Sequence, residues 1–568
     1  MRFRARSVPA VAGPAGLLVG LLLVAGCAVD TGRERMPDDM SALPAYDVNP
    51  MPRERLRAGG TLRWPMPEFP TQWNFHHVNG SKGVVNEVLQ GVMPYLMRSD
   101  AKGVSHPVPE YLADVEVTTA PAQVVTYTID PRARWSDGTP ITYRDFAAQA
   151  RALCGRDGRY QVAAVTGYDR IASVRRGRHD RQAVVTFARP FADWRALFTP
   201  LYPAATGAQP AVFNGGWLNR LPVTAGPFKV EAIDRTAKTI TIVRDPRWWG
   251  RPARLDRIVF RVLDPGAAPG AFANGEVDVL DAGGDAGAYR RALRVRGAVI
   301  RRAAGPDWRH LTFNAGGPIL SDVRVRQAIM NGIDRRALAE SDLKDMDWPV
   351  EVLGNHFFMH TQTGYRDNAG ELGRHDPARA NRLLEEAGWR RAGRYRVKDG
   401  RTLAVRFVVP ATQHVSKREG ELVQAMLARI GVRVDIRPVP TDDLFDRYVL
   451  PGNFDIVPFS WLGTPFPVSS NRAVFATPRG GSIQQNYSRI GSPALDAALD
   501  RAVAELDPVK VRRLVNEADR MVWRQATVLP LYQRPQLLAV RGDLANFGAR
   551  GFYDLAYEDI GFTAPASR

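Results

Sequence analysis

Cysteine is nearly absent from this 568-residue chain, which has only Cys27 and Cys154, in unrelated surroundings. Two such residues build neither a disulfide framework nor a cysteine metal site. Also missing are a fixed repeat, which excludes solenoids and propellers, and an apolar run of the roughly 20 residues that a membrane-spanning helix needs. There is no G-x-S-x-G elbow, no phosphate-cradling glycine loop with lysine and no HExxH helix, so motif-level signs of an enzyme are lacking. Negative charge is in deficit, with 59 Asp+Glu against 77 Lys+Arg and a formal charge of +18. The excess is mostly arginine and reads as scattered. Without a dense basic run interleaved with aromatics it argues against nucleic acid, and it suits a place beside anionic lipid.

What is present begins at the N-terminus. Arg2, Arg4 and Arg6 precede an apolar stretch from Val11 to Val24, and Ala25-Gly26 leads into Cys27. This is the charged, hydrophobic and small-residue order of an export signal. Val24-Ala25-Gly26-Cys27 resembles a bacterial lipoprotein box, which implies cleavage after residue 26 and acylation of Cys27. Residues 27–58, polar and rich in Pro, Asp and Arg, are expected to be a flexible tether.

From Thr61 the pattern becomes globular, and at 62.8 kDa with 45% hydrophobic residues the body exceeds one ordinary domain. Val124 to Ile129 is β-branched and aromatic, the signature of a strand. Thr142 and Asp145 have the spacing of a helix-capping pair, with Phe146, Ala150 and Leu153 as the apolar stripe. Cys154, just after that stripe, is expected to be a buried small hydrophobe. Strands are predicted at 183–187, 228–233 and 239–243, the last two as a hairpin. Downstream, Asp376-Pro377 opens a helix that Gly388 ends. Leu422, Val423, Met426, Leu427 and Ile430 repeat at helical spacing, and Val432, Val434 and Ile436 then alternate as a strand. Mixed α/β architecture follows.

Several phrases in this order resemble the family 5 extracellular solute-binding proteins, which serve ATP-driven importers. They are Trp135-Ser136-Asp137-Gly138-Thr139-Pro140-Ile141-Thr142, Ala225-Gly226-Pro227-Phe228, Arg244-Asp245-Pro246-Arg247-Trp248-Trp249-Gly250 and Gly275-Glu276-Val277-Asp278. Phe313-Asn314, Val325-Arg326-Gln327-Ala328-Ile329, Ile333-Asp334-Arg335 and Leu529-Pro530-Leu531-Tyr532 continue the series. The resemblance implies a two-lobed periplasmic-binding-protein-like fold of the type II, cluster C kind, with a hinge and an additional domain. It places the first lobe at 59–90, 219–310 and 525–568, the extra domain at 91–218 and the second lobe at 311–524. It implies a monomeric, non-enzymatic receptor without cofactor, held outside the cell membrane by its lipid. The expected ligand is an oligopeptide or similarly extended polar solute, and the expected partners are an ABC permease and its ATPase. The alternative is an envelope lipoprotein of the same fold acting as a regulatory, interaction or glycolipid-binding component.

By the same resemblance the cleft is lined by Trp461 and by Trp73, Asn74 and Phe75, while Gln485, Asn486 and Tyr487, beside Gln484, offer amide and phenol groups. Peptide-binding relatives follow this tryptophan with an acid that pairs with the ligand's amino group. Here Gly463-Thr464-Pro465-Phe466-Pro467 carries none, and a buried ammonium needs a charged or strongly polar partner. His76, His77 and His414 would have to meet to bind a metal chelate, and adjacent imidazoles on extended chain point apart. His356 and His360 have helical pair spacing, but Gly354-Asn355 and the two Phe between the histidines fit a loop or packed turn better.

Overall fold

The computed structural model describes residues 44–478 and 483–564, all within one compact unit, Pro37–Arg568. The export signal, Cys27 and most of the expected tether lie outside the described residues. The last part of that tether is not loose, however. Asp47 bridges Ala549, its carboxylate accepts from the Arg302 N–H at 3.0 Å, and Leu56 bridges Thr563. Val48 and Leu56 are buried. The packed chain therefore begins well before residue 59. Polar, aperiodic sequence conceals this because, apart from the single 3-10 turn Arg53–Arg55, the segment is held by hydrogen bonds to residues 544–563.

A four-stranded sheet runs in the order Thr61–Met66, Arg257–Val262, Thr239–Arg244, Phe228–Asp234. Its last pair is the antiparallel hairpin expected from the sequence. A second four-stranded sheet joins Leu112–Thr118, Val124–Ile129, Gln182–Phe187 and Ile171–Arg176. Helix Tyr143–Leu153 belongs with this sheet. Its capping box forms as the spacing predicts, with the Thr142 hydroxyl accepting from the Arg144 N–H and the Asp145 carboxylate from the Thr142 N–H at 2.7 Å. Phe146 is fully buried beneath it, 5.2 Å from the Tyr127 ring. Cys154 ends the helix only half-buried, its Sγ 3.1 Å from Arg151 O, because the chain turns away at Gly155 in a left-handed conformation.

The largest sheet has six strands, ordered Val279–Asp281, Val528–Arg541, Ala298–Phe313, Ile456–Leu462, Ala404–Pro410, Arg433–Val439. Ala404–Pro410 and Arg433–Val439 are parallel, as the helix between them, His414–Arg429, requires. Helix Pro377–Glu386 starts where Asp376 caps the Arg379 N–H at 2.8 Å and buries Ala380 and Leu384.

Two strands of this sheet are much longer than the rest: Ala298–Phe313 has 16 residues and Val528–Arg541 has 14. They pair antiparallel from Ala298↔Arg541 to Thr312↔Val528, with the register broken between Ala304 and Trp308. Gly305-Pro306-Asp307 occupies the break, and a side chain at Gly305 would stand 2.9 Å from Arg534 O. On one side of this bulge the pair neighbours only Val279–Asp281, and on the other it continues into Ile456–Leu462.

Candidate ligand-binding site

Strand alternation builds the site. Ile456–Leu462 runs antiparallel to Ala298–Phe313 with Trp461 opposite Trp308 and Phe459 opposite His310, so these four rings share one face. Tyr487 stacks on Trp461 with ring centroids 5.5 Å apart at 11°, and His310 lies nearly parallel to Trp461 at 6.1 Å and 13°. Phe459 stands edge-on to His310 at 4.3 Å, and Phe445 closes on Phe459 at 5.5 Å.

Asn486 does not face a ligand. It is buried, its amide donates to Ala476 O at 2.8 Å and Ile490 O at 2.9 Å, and it thereby fixes the turn that presents Tyr487. Gln485 is exposed beside it, held through its backbone N–H on Ala473 O.

At the edge of the stack Phe445, which also meets Tyr487 at 6.0 Å, is 39% exposed. Trp461 is half-buried, and its indole Nε1 has no partner among the described residues; neither has Nε2 of the fully buried His310. Burial and the adjacent Arg309 guanidinium hold the His310 imidazole well below its ordinary pKa, so it is neutral. Half-buried Trp461 and Tyr487 thus stand at the surface over buried rings and two polar nitrogens without partners among the described residues.

The sequence offers no acid after Trp461, but carboxylates gather at the strand bulge. Asp307, opposite Leu462, is half-exposed with Arg534 Nη1 3.4 Å away. Desolvation pushes its carboxyl up, and Asp281 adds repulsion. Glu87, on helix Gly83–Val92, is pushed up by desolvation too, with Arg550 pulling it down and Asp281 again raising it.

The opposite face of the strands holds a buried ionic network. The Arg309 guanidinium meets Glu419 from helix His414–Arg429, with Nε 2.8 Å from Oε1, and donates to the Ser416 hydroxyl at 2.8 Å. The Tyr532 hydroxyl donates to Asp342 Oδ2 at 3.2 Å. Asp342 Oδ1 is buried without a partner, and burial beside Glu419 drives the Asp342 carboxyl strongly upward. A proton on Oδ1 donated toward Glu419 resolves both observations.

The other expected residues fall elsewhere. Trp73 and Asn74 are fully buried, Asn74 with its amide on Phe213 O at 2.9 Å, so both pack the core rather than line a cleft. Phe75 is half-buried against the core, its N–H donating to the Tyr202 hydroxyl at 2.8 Å. His76 Nε2 lies 2.8 Å from Pro200 O and His77 Nε2 3.1 Å from Gln161 Oε1, and His414 is exposed at the start of its helix. No group of three or more His, Cys, Asp or Glu among the described residues could hold a metal. His356 sits in a packed turn, between Asp519 at 2.7 Å and Val528 O at 3.0 Å. Sequence reasoning did not single out Trp308 and His310, buried rings that back the Trp461–Tyr487 stack and whose every-other-residue spacing marks one face of a strand.

Residues 106–482 match the family model for bacterial extracellular solute-binding proteins, family 5. The oligopeptide-binding protein OppA of Mycobacterium tuberculosis is 41% identical over 553 residues, covering 96% of this chain and 92% of the relative. Among solved structures, the periplasmic EDTA-binding protein EppA superposes with a TM-score of 0.83 at 24% identity, covering 92% of this chain and 99% of that one. The oligopeptide-binding protein AppA from Bacillus subtilis, in complex with a nonapeptide, gives 0.75 at 17% identity, covering 90% and 100%. No helix among the described residues is long and apolar enough to cross a membrane. The chain belongs to the family 5 bacterial extracellular solute-binding proteins.

Proposed function

We propose that this chain captures an oligopeptide against the Trp461–Tyr487 face and delivers it to an ABC permease, without catalysing any change in it. The observation that carries this reading is the half-buried Trp461–Tyr487 stack, backed by two nitrogens that have no partner among the described residues. The near full-length similarity to an oligopeptide-binding protein supports it and weighs against the interaction or glycolipid alternative.

Extended backbone presents amide groups to the Trp461 indole N–H, while side chains stack on the rings. The charge partner for a terminal ammonium is the Asp307, Asp281 and Glu87 group in place of the missing acid; Asp307 and Glu87 are both raised by desolvation, with Asp281 adding repulsion, and a cation offsets both effects. Closure proceeds by bending at Gly305-Pro306-Asp307, where the long strand pair loses register. The body is monomeric and stays outside the membrane on an acylated Cys27.

Titration of the purified chain with unmodified and N-acetylated peptides, sugars and metal chelates, followed by tryptophan emission and calorimetry, tests this. Saturable binding of free-amine peptides, weakened by acetylation, is expected. Binding of chelates or sugars alone would reject it.

A further inference from the structure

The positive charge is not evenly scattered. Between Arg390 and Arg401 six of twelve residues are basic (Arg390, Arg391, Arg394, Arg396, Lys398 and Arg401) against the one acid Asp399. This stretch folds as a small sheet, Arg390–Ala392, Tyr395–Lys398 and Arg401–Thr402, separate from the other sheets. It lies on the C-terminal ends of two helices: Arg390 donates to Glu385 O and Arg391 to Arg429 O, each at 2.7 Å. Arg396 is buried and paired with Glu385 at 3.3 Å, and Lys398 is bound to Ala387 O. The remaining guanidinium groups are different. Arg390, Arg391, Arg394, Arg401 and the adjoining Arg429 are all exposed, and none has a carboxylate partner among the described residues.

We propose that this arginine-rich sheet is a contact surface for the phosphate headgroups of an anionic bilayer. Helix capping accounts for one or two donors of Arg390 and Arg391. Arg391 Nη1 also reaches Arg394 O at 3.3 Å, but neither residue meets a carboxylate, and capping does not explain Arg394, which lies over the Tyr395 ring at 5.4 Å, or Arg401. A protein partner would need an apolar anchor at the centre of its interface. No large hydrophobic residue in this sheet is among the exposed ones. Unpaired guanidinium groups without an apolar anchor suit a sheet of phosphates, which demands charge and no fixed shape. The inference does not depend on which solute fills the cleft.

The test uses the chain from Ala28 onward, which keeps the whole compact unit and lacks the acylation site. Its partition onto phosphatidylglycerol–phosphatidylcholine vesicles is compared with that onto phosphatidylcholine alone, at low and high salt. Each neutralised arginine should lower partition about fivefold, so Arg390→Gln/Arg391→Gln/Arg394→Gln should lose roughly a hundredfold. The corresponding lysine variant should keep it. Arg175→Gln/Arg178→Gln, exposed on strand Ile171–Arg176 and the turn after it, should leave it unchanged. Because the glutamine variant removes two helix caps, arginine footprinting with phenylglyoxal on the unmodified chain is run beside it: vesicles should protect Arg390, Arg391, Arg394 and Arg401 but not Arg175 or Arg178. Partition indifferent to phosphatidylglycerol, equal loss from both variants or uniform protection would overturn the proposal. The first of these would leave an acidic protein as the partner.

Discussion

Asp342→Asn should make this protein more stable at neutral pH. Asp342, Glu419 and Arg309 are all less than 8% exposed, so two carboxyls share one guanidinium out of reach of water. Folding at pH 7 must leave a proton on Asp342, whose ordinary value is 3.8. Each pH unit between that value and neutrality costs about 1.4 kcal/mol, about 4 kcal/mol in all. The sign follows directly: the carboxyl is raised in the folded state, so the native chain binds more protons than the unfolded one, and stability falls as pH rises above the ordinary value. Asparagine accepts from Tyr532 and donates to Glu419 without taking up a proton. Its second N–H is left unbonded at a cost of about 1–3 kcal/mol, so a net gain of about 2 kcal/mol is expected. Urea denaturation from pH 5 to 8 measures it, with wild type losing about 1.4 kcal/mol per unit relative to the variant. Parallel pH profiles for the two proteins would refute the shared-proton reading.

Other expectations rest on separate contacts. Trp461→Ala should weaken peptide binding by about 2 kcal/mol, roughly thirtyfold in Kd, with little change in melting temperature; calorimetry decides. Asp307→Asn should lower affinity for free-amine peptides and leave acetylated ones unaffected. Desolvation takes the His76 imidazole down to about 4, with Pro200 O opposing. The unfolded chain therefore binds its proton first: the contribution is complete above pH 6.5 and lost as pH falls toward 4, up to about 3 kcal/mol, and a His76→Gln melting series should flatten that slope. Gly226→Ala should destabilise by about 2 kcal/mol or more, because its methyl would stand 2.6 Å from Gly91 O.

Local grammar was readable in the sequence wherever neighbours decide the outcome. The Thr142–Asp145 cap, the 228–244 hairpin and the Pro377–Glu386 helix depend on residues a few positions apart, and each forms. The site is different, because it depends on register between segments far apart. Trp461 and Tyr487 could be singled out by their surroundings, but His310 joins them only because Phe459 pairs with it across the sheet. Trp73 and Asn74 look like cleft residues by position and are instead consumed by packing and by a bond to Phe213 O. The basic sheet was overlooked for the opposite reason: its arginines are contiguous in sequence, but their freedom from carboxylates is a property of folded space.

The segment from Asp47 to Leu56 is stitched to Ala549 and Thr563. A pull applied upstream of Asp47 would therefore be taken up first by the segment 544–563 to which it is bound, and would reach the Trp461–Tyr487 stack only through the paired long strands.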